Sequence, residues 1–375
     1  MSPTNPDTSY SWAQAEPLSS KYFYHKNVLP YTQEWELGLQ RQLGTHTVLS
    51  AAYVGTVGRH LMTLEEANPG NQALCLFLNN PANLAPGVTP CGPGGENATY
   101  TEANGTVING TRQPFGSTNF GSNTYEITAA SSSYNSFQAS LQHQDKYATF
   151  LVSYTKAKEI GNSSDDYDNT NPINPELSRG LNLANVPGYL AVSYQFQLPF
   201  YLFLGNGPVA RVFTAGWALN GITTFQTGSP VQIKETDDQS LAGANGTIID
   251  EPNFSNNGSP LFLDKNPRHC RINQGNCEGY FNSNYFAREP LGHFGDSPPE
   301  FFTGPGSQDW DMALVKDTVL HTTTSLEIRV EAYNVFNHAN FGNPDGNFND
   351  GPGSFGYVSS AGPPRVMQVA MKLLF

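Results

Sequence analysis

Apolar and polar residues alternate along several stretches of this chain. In residues 365–375 (RVMQVAMKLLF), Met367, Val369, Met371, Leu373 and Phe375 fall on one side of an extended strand. Val366, Gln368, Ala370, Lys372 and Leu374 fall on the other. Successive side chains of a strand point to opposite faces, so the segment has one wholly apolar face and one mixed face. Residues 325–333 (SLEIRVEAY) set Leu326, Ile328, Val330 and Ala332 against Glu327, Arg329, Glu331 and Tyr333. Three charges on one face of an interior strand need water or each other. A soluble sheet hides its apolar face in a core. A membrane barrel turns that face to lipid and gives the charges a wet lumen.

The same period predicts nine strands, at 31–43, 47–55, 136–143, 149–156, 190–198, 212–227, 310–317, 325–333 and 365–375. Residues 1–30, rich in Pro, Asn and Ser, read as loop. The connections alternate. Short turns at Gly44-Thr45, at Asp145-Lys146, around 205–208 and before 325 are interleaved with long polar stretches at 58–132, 160–186, 228–308 and 337–364. Soluble sheets mostly use connections of about 2–6 residues, whereas outer-membrane barrels pair short periplasmic turns with long extracellular loops. Tyr31, Trp35, Tyr154, Phe200, Tyr201, Trp310 and Phe336 lie near strand ends, where a barrel carries its aromatic girdles. The expected fold class is therefore all-β, an antiparallel transmembrane β-barrel with long extracellular loops.

Composition supports this. Charged residues are 14% of the 375, against roughly 25% in ordinary soluble proteins. There are 36 Gly and 27 Pro, which suits a chain with much turn and loop. No apolar run reaches the roughly 20 residues of a transmembrane helix. The net charge of −13 argues against nucleic acid as a partner. The opening residues, MSPTNPDTSY, have neither the basic nor the apolar region of a signal peptide.

Candidate chemistry is sparse. Cys75 and Cys91 fall in one long loop, Cys270 and Cys277 in another, and no Cys-x-x-Cys pair exists. Disulfides Cys75–Cys91 and Cys270–Cys277 are expected, because an exported protein passes an oxidising compartment and same-loop pairing leaves the strands undisturbed. His269, Cys270 and Cys277 form an alternative metal half-site. Asp165, Asp166, Asp168 and Asn169, and Asn343, Asp345, Asn347, Asn349 and Asp350, make acidic clusters without the EF-hand spacing, and they read as solvated turns. The Asn-x-Ser/Thr triplets at Asn97, Asn104, Asn109 and Asn245 read as chance in an Asn/Thr-rich loop. No nucleophile elbow, HExxH or phosphate loop is present, so no enzyme and no cofactor are expected.

Six stretches carry a family resemblance: YTQEWELGLQRQLGTHTVLSAAYVGTVGRHL, SSYNSFQASLQHQDKYATFLVSYTKAKEI, GWALNGITTFQTGSPVQI, GPGSQDWDMALVKD, LEIRVEAYNVFNHANFGNP and FGYVSSAGPPRVMQVAMKLLF. Together they resemble the C-terminal barrel part of Oar-like TonB-dependent outer-membrane transporters. The resemblance implies a barrel of about 22 strands around a plug. It also implies energised uptake of a large or scarce ligand through contact with TonB. Residues 1–375 are then the C-terminal portion of such a barrel, beginning inside an extracellular loop, with about nine strands. Plug, TonB box and signal peptide are expected in a preceding part, and any contact with TonB runs through that part. The expected partners are outer-membrane lipid, the barrel-insertion machinery and an unknown ligand. Met367, Val369, Met371, Leu373 and Phe375 are implied as the assembly signal that the machinery reads. The alternative reading is a surface-exposed binding or adhesion protein that works through its long loops. The nine strands are expected as an open sheet in sequence order, with 31–43 and 365–375 as free edges.

Overall fold

The computed structural model describes residues 21–117, 120–163, 177–204, 207–243, 250–263, 279–321 and 323–375. The strand period dominates it. Nine long strands run antiparallel in sequence order: β1 (Tyr31–Leu43), β2 (Thr47–Glu66), β3 (Thr124–Gln144), β4 (Ala148–Gly161), β5 (Gly188–Leu198), β6 (Trp217–Gln226), β7 (Ser307–His321), β8 (Thr324–Tyr333) and β9 (Val366–Leu374). The ladder is open. Among the described residues β1 pairs only with β2, and β9 only with β8. No helix among the described residues is long and apolar enough to cross a membrane.

Several strands differ from their sequence-predicted extents. β2 and β3 run well past the expected 55 and 136, to Glu66 and back to Thr124. The period breaks there for a physical reason. The β2–β3 register shifts between Gly58 and Leu61 and again between Leu61 and Thr63, with His60 in a left-handed conformation. Each irregularity changes which side chains share a face, so the alternation is lost although the pairing continues. At about 20 residues these strands are twice the 9–11 that cross a bilayer, so they project far beyond it.

The expected strand at 212–227 begins only at Trp217. Pro208–Thr214 is a helix with Pro at its first position, and Gly216, at φ +74°, turns the chain into β6. Phe213 and Trp217 share a face at helical spacing as readily as at strand spacing, and Trp217 Nε1 donates to the Phe213 carbonyl at 2.8 Å. A second short helix, Tyr201–Leu204, precedes it in the same connection. Within the expected loop 1–30, Lys21–Phe23 forms a short parallel strand on the start of β3.

The short connections all lie at one end of the sheet and the long ones at the other. The hydrophobic cores lie at the long-loop end, away from the strands. One gathers Val231, Ile233, Tyr280, Phe281, Phe286, Phe302 and Phe355. The other gathers Cys75, Leu78, Leu84, Cys91, Tyr100 and Leu241. The first contains residues of the last two long loops, and the second residues of the first and third. The sheet thus carries a folded cap.

Candidate functional site

Residues opposite each other in an antiparallel ladder share a face, so the register assigns every side chain of the wall. Val330 stands opposite Leu314 and Val369, Leu314 opposite Leu219, and Leu219 opposite Phe196. This face also carries Trp35, Leu37, Leu39, Phe137, Phe150 and Tyr154. It is solvent-open: Val369 is 74% exposed and Met371 71%. Two of its glycines are covered by aromatics. A Cβ on Gly55 would sit 2.2 Å from the Trp35 ring, and one on Gly221 2.5 Å from the Tyr194 hydroxyl. In each case the ring belongs to the directly opposed residue. Glycine here makes room for a girdle side chain lying flat over the backbone.

The other face is polar. It carries Glu34, Glu36, Glu159, Asp309, Asp311, Asp317, Glu327 and Glu331, with Arg329 and Lys372 as its cations. Arg329 lies 3.3 Å from both Glu327 and Glu331, and Gln368 donates to Glu331. A groove of about 570 Å³ runs over this face across several strands, flanked by Gln142, Ser193, Gln195, Asn220, Asp311 and Glu331. A two-faced sheet that closes into a membrane barrel turns its polar face inward, so the polar side is the concave one. The apolar comb at Met367, Val369, Met371 and Leu373 lies on the opposite, convex side; Phe375 follows β9 and is fully exposed.

The cap is built from the long loops at the end of the sheet away from the short turns. The first long loop is held by a buried ion pair, Arg112 to Glu96 at 2.9 Å. Arg112 also donates to the Asn97 side chain and the Asn68 carbonyl, both at 2.7 Å. Helix α1 (Gln72–Asn79) starts at Asn71, whose side chain accepts the Leu74 N–H. Cys75 on this helix is bonded to Cys91 in the buried cluster. The third loop grips the first: Gly70 N donates to the Ala242 carbonyl at 2.8 Å, and Gly94 N to Asp238 at 3.1 Å. The fourth grips the third through Thr236 N to Asn349 Oδ1 at 2.6 Å and Tyr280 N to the Gly356 carbonyl at 2.7 Å.

Beneath the third loop three carboxyls meet. Glu235 and Asp250 are opposed in an isolated antiparallel bridge, which puts both side chains on one side. Glu289 lies within hydrogen-bonding reach of Glu235. All three are buried, and no donor reaches either Glu235 oxygen, either Glu289 oxygen or Asp250 Oδ1. The neighbouring Arg288 is turned to Asp237, at 2.7 Å. Burial and the facing Glu289 carboxyl push Glu235 up to about 9. Burial pushes Asp250 up to about 7, against the Ser240 backbone N–H that favours its ionised form. Glu289 is raised by burial as well. Glu235 therefore keeps its proton at neutral pH, because several carboxylate charges cannot share a dry site without a counter-ion. Among the described residues no three His, Cys, Asp or Glu side chains converge as a metal site.

Sequence reasoning missed this cap. The carboxyls come from positions 235, 250 and 289, and the aromatic core from 280–302 and 355, with no period to announce them. Of the acidic clusters read from sequence, the one at 343–350 forms a turn tied to the third loop: Asp345 accepts from Asn347 N and from Ser354 Oγ, Asp350 from Asn347, and Asn349 accepts from Thr236 N and donates to Asp237. Asp165, Asp166, Asp168, Asn169, Asn245, His269, Cys270 and Cys277 lie outside the described residues.

Three comparisons place this architecture. A family model described as an outer membrane beta barrel domain matches residues 1–368. Among curated proteins none matches the sequence. Among solved structures, the chain resembles the outer membrane transporter YddB from Escherichia coli, with 11% identity and a TM-score of 0.44, over 95% of this chain and 34% of that one. It also resembles the ferric-catecholate import receptor Fiu from E. coli, with 10% identity and a TM-score of 0.39, over 92% of this chain and 27% of that one. The ferripyoverdine receptor of Pseudomonas aeruginosa matches at 11% identity and a TM-score of 0.35, over 92% and 27%. The chain thus spans about a third or less of the length of the structures it matches. With its convex apolar face, concave polar face and matched family model, the chain belongs to the outer membrane beta-barrel domain family, and its place is the outer membrane.

Proposed function

We propose that this chain is part of the wall and the ligand-gathering cap of a TonB-dependent transporter for a large or scarce solute. In this reading residues 1–375 supply the C-terminal portion of the barrel. The observation that carries it is the open ladder. The outer edges of β1 and β9 are unpaired among the described residues, and unpaired backbone groups are costly in lipid. Further strands must therefore complete the wall, giving a barrel wider than nine strands, with room for a plug. The polar concave face then lines the passage, and the cap receives solute from outside. The work is uptake, with no bond made or broken. Met367, Val369, Met371, Leu373 and Phe375 serve as the signal for the insertion machinery, and Cys270 with Cys277 forms a second loop disulfide.

The test is formaldehyde crosslinking in living cells, followed by capture of the full-length protein and detection of TonB. TonB in the captured fraction, lost when TonB is deleted, is the expected result. A folded, surface-exposed barrel that never crosslinks to TonB would contradict the reading and leave surface binding through the cap.

A further inference from the structure

One connection at the short-turn end departs from its neighbours. Residues 44–46 alone join β1 to β2, residues 145–147 join β3 to β4, and β8 begins at Thr324, soon after β7 ends at His321. Residues 199–216, by contrast, join β5 to β6 and hold the helices Tyr201–Leu204 and Pro208–Thr214. Every described side chain of these two helices is at least partly exposed. Phe203 is 80% exposed, Val209 75% and Phe213 71%, as open as Val369 and Met371 on the comb of β9. Val209, Val212 and Phe213 recur at helical spacing and make one apolar stripe. Arg211 lies off the stripe, over the Tyr201 ring at 5.4 Å.

Helices this short are marginal in water, and most helical stability in proteins comes from packing an apolar face. Here that face is left open, so what it packs against lies outside the chain. Two observations say what covers it. The helices adjoin the convex face of the wall. Trp217 alternates with Leu219 on that side; its ring meets Phe200 edge-on at 6.2 Å, and its Nε1 donates to the Phe213 carbonyl at 2.8 Å. The open patch thus continues the lipid-facing surface beyond the start of β6. Residues 199–216 also contain no Asp or Glu, in a chain of net charge −13, and Arg211 is their one charge. An apolar, aromatic stripe with a cation beside it and no acid suits a helix lying in a membrane interface.

We infer that residues 199–216 are an in-plane anchor that docks on the phospholipids of the inner leaflet. Leu202, Phe203, Val209, Val212 and Phe213 enter the acyl chains, and Arg211 reaches the phosphates. The anchor is separate from the wall: the strands cross the bilayer, whereas this segment lies along its inner surface, about 5–10 Å into the boundary between headgroups and chains. The inference rests on the convex face meeting lipid and on the short turns facing the periplasm. A periplasmic protein would have to reach the same stripe beside Trp217, on the side that lipid already fills.

The experiment uses the full-length protein in phospholipid nanodiscs, whose two faces both meet the buffer. A bimane is attached at Phe203→Cys or Phe213→Cys. Lys146→Cys, in a polar turn at the same end, and Val369→Cys, on the wall, serve as references. Phospholipid carrying a nitroxide high on its acyl chain should quench the label at 203 and 213, with little loss to aqueous iodide. At 146 the order should reverse. Iodide quenching at 203 and 213 that matches 146 would overturn the proposal, showing a solvated connection. Protection from both quenchers would also overturn it, showing a protein partner. If the lipid nitroxide quenches at 369 but not at 203 or 213, the anchor alone falls; if it fails at 369 as well, the assignment of faces falls with it.

Discussion

The wall and the cap are built on different physics. The wall is a backbone ladder whose side-chain contacts run mostly between neighbouring strands and build no buried core: β9 is exposed along its whole length, and the Arg329 cluster is its main set of ion pairs among the described residues. Its two faces meet two solvents, and what specifies it is which residue points where. The cap is held by side chains: a buried ion pair, a disulfide, two apolar clusters and a trio of buried carboxyls. It has a core of its own, so it withstands water and the wall does not. A lipid-facing sheet needs a sided pattern more than a packed centre, whereas a surface receptor needs a packed centre that presents loops.

The largest expected effect falls in the cap. Arg112→Ala leaves Glu96 buried and without its cation, which costs about 3–5 kcal/mol for such pairs. Hydrogen exchange should show the first loop opening while β6–β9 stay protected; equal loosening of the wall would merge the two regions. Next is the wall itself. Val330→Arg, on the convex face, should cost about 2–4 kcal/mol near the bilayer midplane, while Ala313→Arg, opposite Glu331 on the concave face, should cost far less. Refolding of the full-length barrel into vesicles measures both, and equal costs would break the assignment of faces.

A smaller effect is pH-dependent and confined to the cap. Glu235 and Asp250 are raised above ordinary carboxylates, so the folded cap binds protons that its unfolded form releases. Stability contributed by those protons is full at acidic pH. It falls as pH rises from the ordinary carboxylate range through about 7 for Asp250 and about 9 for Glu235. Exchange protection around 231–238, corrected for intrinsic rates, should be lower at pH 9 than at pH 6. Glu235→Gln with Glu289→Gln should flatten that difference. The smallest effect is at the wall's ion pairs: Arg329→Ala should change stability by about 0–1 kcal/mol, since the guanidinium is partly exposed and screened.

How much of this was legible in sequence follows from the same contrast. A two-solvent sheet writes its orientation into every second residue, so Leu326 to Ala332 and Met367 to Leu373 could be placed from the alternation alone, and the nine-strand order with them. The extra lengths of β2 and β3 were hidden where register shifts at Gly58, Leu61 and Thr63 break the period. The helix at Pro208–Thr214 was hidden because Phe213 and Trp217 fit both periods. The cap was hidden altogether. Leu241 packs beside Cys75 and Phe281 beside Phe355 through long-range contacts among Gly, Asn and Pro, which have no repeating period to read.

The central claim is that one face of this sheet meets lipid and the other water. Nitroxide labels placed singly at positions 326 to 332 and 367 to 373 of the full-length barrel in bilayers test it most directly. Oxygen accessibility should peak at 326, 328, 330, 332, 367, 369, 371 and 373. Accessibility to a water-soluble nickel complex should peak at the positions between them. An alternation of the opposite sign, or none, would contradict the account.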